Sequence, residues 1–249
     1  MKEGLEALEL ATRKAKKLYP EADYVIVYNN LSDKAHAFVK QIGLPLVNAQ
    51  EGECVLEPPP DRTEWLIWPP RLREDAHEIC MDNDIILLRR HPVIDMFFAG
   101  DNFFFATESF NERHYGNYGD VVPFGGMNVN SGMFGMPPGF DFEKWIVNFY
   151  IKNGRRSQKE YHHADPQGVV AAMIKEQKNH RIISNKHILL SPVMRFVINA
   201  WDKVLDRDKT YGLHFTALNR GVTVDNWINF KCVSNDEDML ELRDKWRSF

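Results

Sequence analysis

The 249-residue chain has no surplus of positive charge: 31 Lys and Arg stand against 35 Asp and Glu, for a net charge of -4. A general nucleic-acid binder is normally basic, so this balance argues against that class while leaving room for an anionic ligand held by a few local cations. Cysteine is scarce. Cys54, Cys80 and Cys232 are odd in number and far apart, with none of the spacings of a zinc site or redox pair. Reduced thiols in a cytoplasmic protein are the simplest account of them. No run of about 18 apolar residues exists, so no transmembrane segment is expected. Met1-Lys2-Glu3-Gly4 lacks the apolar core of a signal peptide. Internal repeats and low-complexity linkers are also missing, which leaves a single domain over 1–249 as the expectation.

What is present alternates between helix and strand patterns. Leu5, Leu8, Ala11, Ala15 and Leu18 form one apolar stripe, ended at Pro20. Tyr24-Val25-Ile26-Val27-Tyr28 reads as a buried strand that stops at Asn29-Asn30. Asp33 can cap the next helix, which buries Ala35, Phe38, Val39 and Ile42 and stops at Gly43. Residues 44–47 then make a second strand. Strand, helix, strand implies a parallel crossover and an α/β fold. Downstream, the patterns predict a short helix at 71–76, one strand over 79–88, a helix over 92–98 and a strand over 103–107. Residues 108–126, rich in Asn, Gly and Tyr, form a long loop of the kind that is usually functional or mobile. Further helices start at Asp141, Asp165, Pro192 and Ser234.

Within the 79–88 run, Asp82 and Asp84 interrupt apolar residues. Side chains alternate along a strand, so both carboxylates point to one side. Two adjacent carboxylates repel unless a cation lies between them, and a hard divalent ion suits oxygen ligands. The alternative is a solvated turn; the Ile85-Ile86-Leu87-Leu88 run favours a continuing strand. Arg71 and Arg73, just upstream, can hold a diphosphate or be surface charges. Gly132 and Gly135 interrupt an otherwise strand-like stretch. They mark a bulge or close approach of a ligand, or else a tight turn filled by Met side chains. Asp165 has a cap position with Pro166 behind it, and His214 ends a short strand as a structural residue or a ligand.

Asp82-Asn83-Asp84, Asn130-Ser131-Gly132, Asp165-Pro166-Gln167 and His214-Phe215 with Asn219 occur in an order that resembles glycosyltransferases of the GT-A fold. The wording is closest to the glycogenin and bacterial lipooligosaccharide galactosyltransferase type. The run 69–145 also resembles small glycosyltransferase domains of large algal viruses. The resemblance implies a single GT-A-like α/β domain with a mixed, mostly parallel central sheet flanked by helices. Its nucleotide-binding half would be about 1–107 and its acceptor-side half about 108–249. It implies a sugar transfer from a UDP- or GDP-linked nucleotide-sugar donor to a carbohydrate or glycoprotein acceptor, with Mn2+ or Mg2+ as cofactor. Carried over residue by residue, Asp82, Asp84 and His214 are the metal ligands. Tyr28, Asn29 and Asn30 meet base and ribose. Asn83, Asn130, Ser131 and Gly132 line the nucleotide-sugar, and Arg71, by its position before the acids, joins them as the candidate for the diphosphate. Asp165 and Gln167 face the transferred sugar.

Three departures stand out. The family opens with a nucleotide-binding strand, whereas this sequence begins in the helix that follows it. Pro166 separates Asp165 from Gln167, where the family pair is adjacent, and Ala217 and Arg220 stand where a Gly and a Lys usually follow the histidine. If transfer inverts the anomeric carbon, a carboxylate must accept the acceptor's proton, with Asp165 first and Glu108 second as candidates. If it retains configuration, the diphosphate can serve as base and Asp165 with Gln167 orients the sugar. The rival readings are a nucleotidyltransferase using the same carboxylates, which would want a basic Gly-rich loop after the first strand, and a non-catalytic sugar-binding module.

Overall fold

The computed structural model describes residues 2–49, 67, 71–107, 112–122, 128–155, 160, 162–190, 210–214 and 237. The helices expected from Pro192 and Ser234, most of the loop after Asn48, and Glu108, Phe124, Asn219 and Arg220 lie outside them.

The chain opens with α1 (Lys2–Leu18), β1 (Ile26–Tyr28), α2 (Asp33–Gln41) and β2 (Leu46–Asn48). β1 and β2 pair in parallel from Ile26↔Leu46 to Tyr28↔Asn48, as a crossover requires. The cap of α2 is Ser32, whose Oγ accepts from the Ala35 N–H at 3.3 Å. Asp33 sits one residue further in, where its charge meets the positive end of the helix. At 71–76, turns replace the expected helix.

The run expected as one strand over 79–88 is two. β3 (Glu78–Met81) and β4 (Ile85–Leu87) belong to different sheets, and Asp82-Asn83-Asp84 makes the corner between them. The Ile85 N–H returns to the Asp82 carbonyl at 3.1 Å. Both flanks are apolar because β3 is half-buried and β4 buried, each in its own sheet, so hydrophobicity alone cannot reveal the corner.

The remaining elements are α3 (Pro92–Phe98), β5 (Phe103–Thr107), a 3-10 segment (Glu112–Tyr118), β6 (Val129–Met136), α4 (Phe142–Asn153), α5 (Asp165–Glu176), β7 (His180–Ile183), β8 (Ile188–Leu190) and β9 (Gly212–His214). Four strands run in the order β3-β6-β5-β7, and three in the order β4-β9-β8. The fold is mixed α/β, and the described pairings divide evenly. β1-β2, β5-β7 and β8-β9 are parallel, and β3-β6, β4-β9 and β5-β6 are antiparallel. β6 runs against both of its neighbours, and β9 joins β8 in parallel but β4 in the opposite sense.

β5 sets the core. Its alternate side chains enter two apolar layers: Phe103 and Phe105 pack with α4 and α5, and Phe104 and Ala106 pack with Ile94 and Phe97 of α3. Helices on both faces are why the strand reads as an unbroken apolar run. Asp141 caps α4 through an Oδ1 that accepts from the Lys144 N–H at 2.8 Å. Among the described residues, no helix is long and apolar enough to cross a membrane.

Candidate metal and donor site

Two elements converge on the corner between β3 and β4. One is β9, whose His214 pairs across from Ile85, the residue after Asp84. The other is a bulge in β6. Phe105 pairs with Phe134 but Ala106 pairs with Asn130, so Ser131, Gly132 and Met133 have no partner on β5. The bulge leans to the other side, where the Gly132 carbonyl accepts from the Asp82 N–H at 2.7 Å. Asn130 stabilises it from within, its Oδ1 accepting from the Gly132 N–H at 2.7 Å.

His214 Nε2 lies 3.5 Å from Asp82 Oδ2 and 3.3 Å from Asp84 Oδ1. One ligand atom from each of the three residues falls within 4.8 Å of the others. Burial by itself would lower the pKa of His214, but the two carboxylates reverse this and raise it to about 10. An imidazolium therefore offsets the paired acids. Asp84 Oδ1 is buried and accepts no hydrogen bond, despite its closeness to that nitrogen. A buried carboxylate oxygen without a donor is costly, and a cation would satisfy it. Two carboxylates with one imidazole suit a divalent ion such as Mn2+. The pair converges as expected, but through the corner rather than through alternation along one strand.

Gly132 is where it is because nothing larger fits. A Cβ there would stand 2.6 Å from His214 Cε1 and 2.7 Å from Asp82 Oδ2. The expected close approach at this glycine is made by the side chains of the site itself.

Asn83 is exposed at the corner, between the two acids. Tyr28, Asn29 and Asn30 end β1, and Asn30 is left-handed at φ 51°. The Tyr28 ring lies 5.4 Å from that of His36 on α2. These residues lie at the carboxyl end of β1, which pairs in parallel with β2, and α/β folds receive ligands beyond the carboxyl ends of such strands.

Arg71 is engaged elsewhere. Its guanidinium donates to the carbonyls of Arg73 (2.9 Å), Phe140 (2.6 Å) and Ala76 (2.5 Å). Its side chain is 2% exposed. It ties the turn before β3 to the entry of α4, and anchoring is the role we give it in place of diphosphate binding. Arg73 is exposed and pairs with Asp75 at 3.0 Å.

Asp165 is the first residue of α5, and Ala164 holds the cap position. The Asp165 carboxylate, 3% exposed, accepts from the Asn117 N–H at 2.7 Å, the Asn117 Nδ2 at 3.1 Å and the His162 N–H at 2.9 Å. Gln167 reaches the bulge, its Oε1 accepting from the Ser131 N–H at 3.3 Å. Asn117 escaped the sequence reading, although it lies in the Asn- and Gly-rich stretch expected to be functional or mobile.

No family model matches the chain, and no curated protein matches its sequence. Solved structures do match. Galactosyltransferase LgtC, in complex with donor and acceptor sugar analogues, superposes with a TM-score of 0.54 at 13% identity, over 97% of this chain and 92% of that one. The apo form of glycosyltransferase GlyE in Streptococcus pneumoniae TIGR4 gives a TM-score of 0.55 at 13% identity, over 98% of this chain and 60% of that one. A glycosyltransferase involved in glycosylation of the major capsid of PBCV-1 superposes with a TM-score of 0.41, too loosely to argue from. At such identities the likeness speaks for architecture alone: this chain has the fold of the GT-A glycosyltransferases.

Proposed function

We propose that the chain is a metal-dependent glycosyltransferase that moves a sugar from a UDP- or GDP-linked nucleotide-sugar to a carbohydrate or glycoprotein acceptor. The observation that carries this reading is the convergence of Asp82, Asp84 and His214 on a scaffold like that of a galactosyltransferase. In such a transfer a bond at a sugar carbon breaks and a nucleoside diphosphate leaves, so negative charge gathers on the diphosphate. A bound Mn2+ or Mg2+ would offset that charge as a Lewis acid. The mixed oxygen and nitrogen donor set favours Mn2+.

The chain's own residues do the rest. Asp82, Asp84 and His214 would hold the ion, and the missing side chain of Gly132 lets Asp82 and His214 pack against the bulge. Asn83, Asn130 and Ser131 border the donor's sugar and ribose, while Tyr28, Asn29 and Asn30 receive the base. Gln167 faces the transferred sugar from the first turn of α5. The unpaired Cys80 thiol is raised by burial and stays reduced and inert, which fits a cytoplasmic protein.

The test pairs Asp84→Asn with wild type in Mn2+-dependent turnover and Mn2+-dependent stabilisation by UDP- and GDP-sugars. Asp84→Asn should keep its fold and lose transfer by at least about 10²-fold, in line with a lost electrostatic stabiliser. Full activity of that variant without metal would reject the site. Pyrophosphate release from a nucleoside triphosphate would favour a nucleotidyltransferase, and binding with no turnover a sugar-binding module.

A further inference from the structure

Asp165 looks like a catalytic base from sequence, but its carboxylate is already largely engaged within the protein. Three N–H donors converge on it, against roughly four lone-pair directions in an ionised carboxylate. Two of those donors belong to Asn117, in the 3-10 segment. The preceding residue, Gly116, is left-handed at φ 56°, and a Cβ on it would collide with Asp165 Oδ1 and lie 2.8 Å from the Asp165 nitrogen. Gly168, one turn into α5, likewise leaves room for the Tyr115 carbonyl and lies against Tyr118 Cβ. The 3-10 segment and the start of α5 are therefore in contact at backbone level, with Asp165 as the fastener.

The same segment continues to the bulge. The Tyr115 hydroxyl accepts from the Val129 N–H at 2.9 Å, at the first residue of β6. Two residues on, Ser131 donates its N–H to Gln167, back on α5. The contacts close a ring: α5 to Asn117 through Asp165, Tyr115 to β6, and β6 to α5 through Gln167. Asn130 and Gly132 flank Ser131 in that ring, and Gly132 is packed against Asp82 and His214.

We infer that Asp165 is a positioning residue: by clamping Asn117 it holds Gln167 and the 130–132 bulge in register with the Asp82, Asp84 and His214 centre. The kinetic side of the inference rests on the proposed transferase reading; the structural side does not. Asp165 accepts no proton from the acceptor in this scheme.

The experiment compares Asp165→Asn, Asn117→Ala and the double variant. Backbone hydrogen exchange in the apo protein is followed over residues 129–132, with Mn2+ affinity and Mn2+-dependent UDP-galactose turnover measured alongside. Each single variant should speed exchange over 129–132 by at least about tenfold, the effect of one buried charge-assisted hydrogen bond. Asn117→Ala removes the Nδ2 bond but keeps the backbone N–H on Asp165, so its effect should be the smaller, and the double variant should exchange about as fast as Asp165→Asn. Mn2+ affinity should stay within about twofold, since all three ligands remain, and any turnover should lose kcat rather than gain KM. Unchanged exchange over 129–132 in a folded Asp165→Asn overturns the inference, and so does a kcat loss in that variant without faster exchange. Wild-type protein without UDP-sugar turnover would count against the proposed function alone, because the exchange measurement needs no substrate.

Discussion

Gly132 shows how a residue with no side chain shapes a site. The three ligating groups come from a corner and a strand end, and the bulge carrying Gly132 fills the space behind them. Gly132→Ala would press a methyl against His214 Cε1 and Asp82 Oδ2 at 2.6 and 2.7 Å, so one or both ligands must turn away. Displacing a ligand from behind typically weakens metal binding by about 10–100-fold, and that loss is expected in a Mn2+ titration of the variant. Gly139→Ala is the control. Its φ of +77° makes the substitution strained, yet nothing lies within 4 Å of the added carbon. It should lower stability slightly and leave Mn2+ affinity unchanged. Arg71 teaches the opposite lesson: a cation next to paired acids in sequence looked available to a phosphate, but three backbone carbonyls claim it. Which carbonyls a buried guanidinium reaches depends on tertiary structure, here on Phe140, far along the chain.

At the level of elements, α3 and β9 are joined by two histidines. His91 caps α3, its Nδ1 accepting from the Val93 N–H at 3.1 Å, so the ring proton resides on Nε2. That nitrogen lies 2.9 Å from His187 Nδ1, which must accept. The His187 carbonyl in turn receives the N–H groups of Tyr211 and Gly212, where β9 begins. A further proton on this pair sets one N–H against another. Burial, and next the neighbouring His187, push His91 down to about 4, with Asp95 opposing. Burial and the Arg89 charge lower His187 as well. The Tyr211 ring packs against both histidines, the Tyr19 hydroxyl accepts from the His91 N–H at 2.7 Å, and Arg90 lies over the Tyr19 ring. The unfolded chain takes up these protons near the ordinary histidine value, before the folded chain does. The contribution of this pair should therefore be full above about pH 6.5 and fall as the pH drops towards 4, whereas that of the raised His214 falls as the pH rises from about 6.5 towards 10. Urea midpoints of wild type and of a variant without the pair, at pH 7.5 and 5, should separate the fall that belongs to the pair. It should be shallower in His91→Asn, which keeps a capping side chain but cannot titrate.

Elements with local signals were legible in advance. Pro92 and the apolar spacing gave α3, Asp141 gave α4, and the Phe103-Phe104-Phe105 run gave β5. The corner at Asp82-Asn83-Asp84 and the true cap of α2 were not. A strand that changes sheets keeps both flanks apolar, and Ser32 beside Asp33 offers two caps of nearly equal strength. In the site, the ordered motifs brought Asp82, Asp84 and His214 forward, but the engagement of Asp165 by Asn117 depends on a contact between distant segments that no spacing encodes.

Across the whole molecule, the candidate centre joins segments that are remote in sequence. Asp82 and Asp84 sit where the chain passes from one sheet to the other, and His214 arrives on a strand near the far end of the described chain. In the unfolded chain the three ligands have no reason to meet, so a cation bound between them favours the folded state alone. The stabilisation then follows from mass action, about 2.7 kcal/mol at a Mn2+ concentration 100 times Kd. For a domain of this length each kcal/mol moves Tm by about 2–4 °C, so saturation with Mn2+ should raise it by roughly 5–10 °C. EDTA should return the midpoint to its starting value. Asp84→Asn should show neither change, and its metal-free midpoint should be somewhat lower than wild type, because Asp84 helps to hold the buried His214 charged. A flat response in wild type at millimolar Mn2+ would mean that the three groups hold only a proton between them, as the raised pKa of His214 allows, and the metal-dependent reading would fall with it.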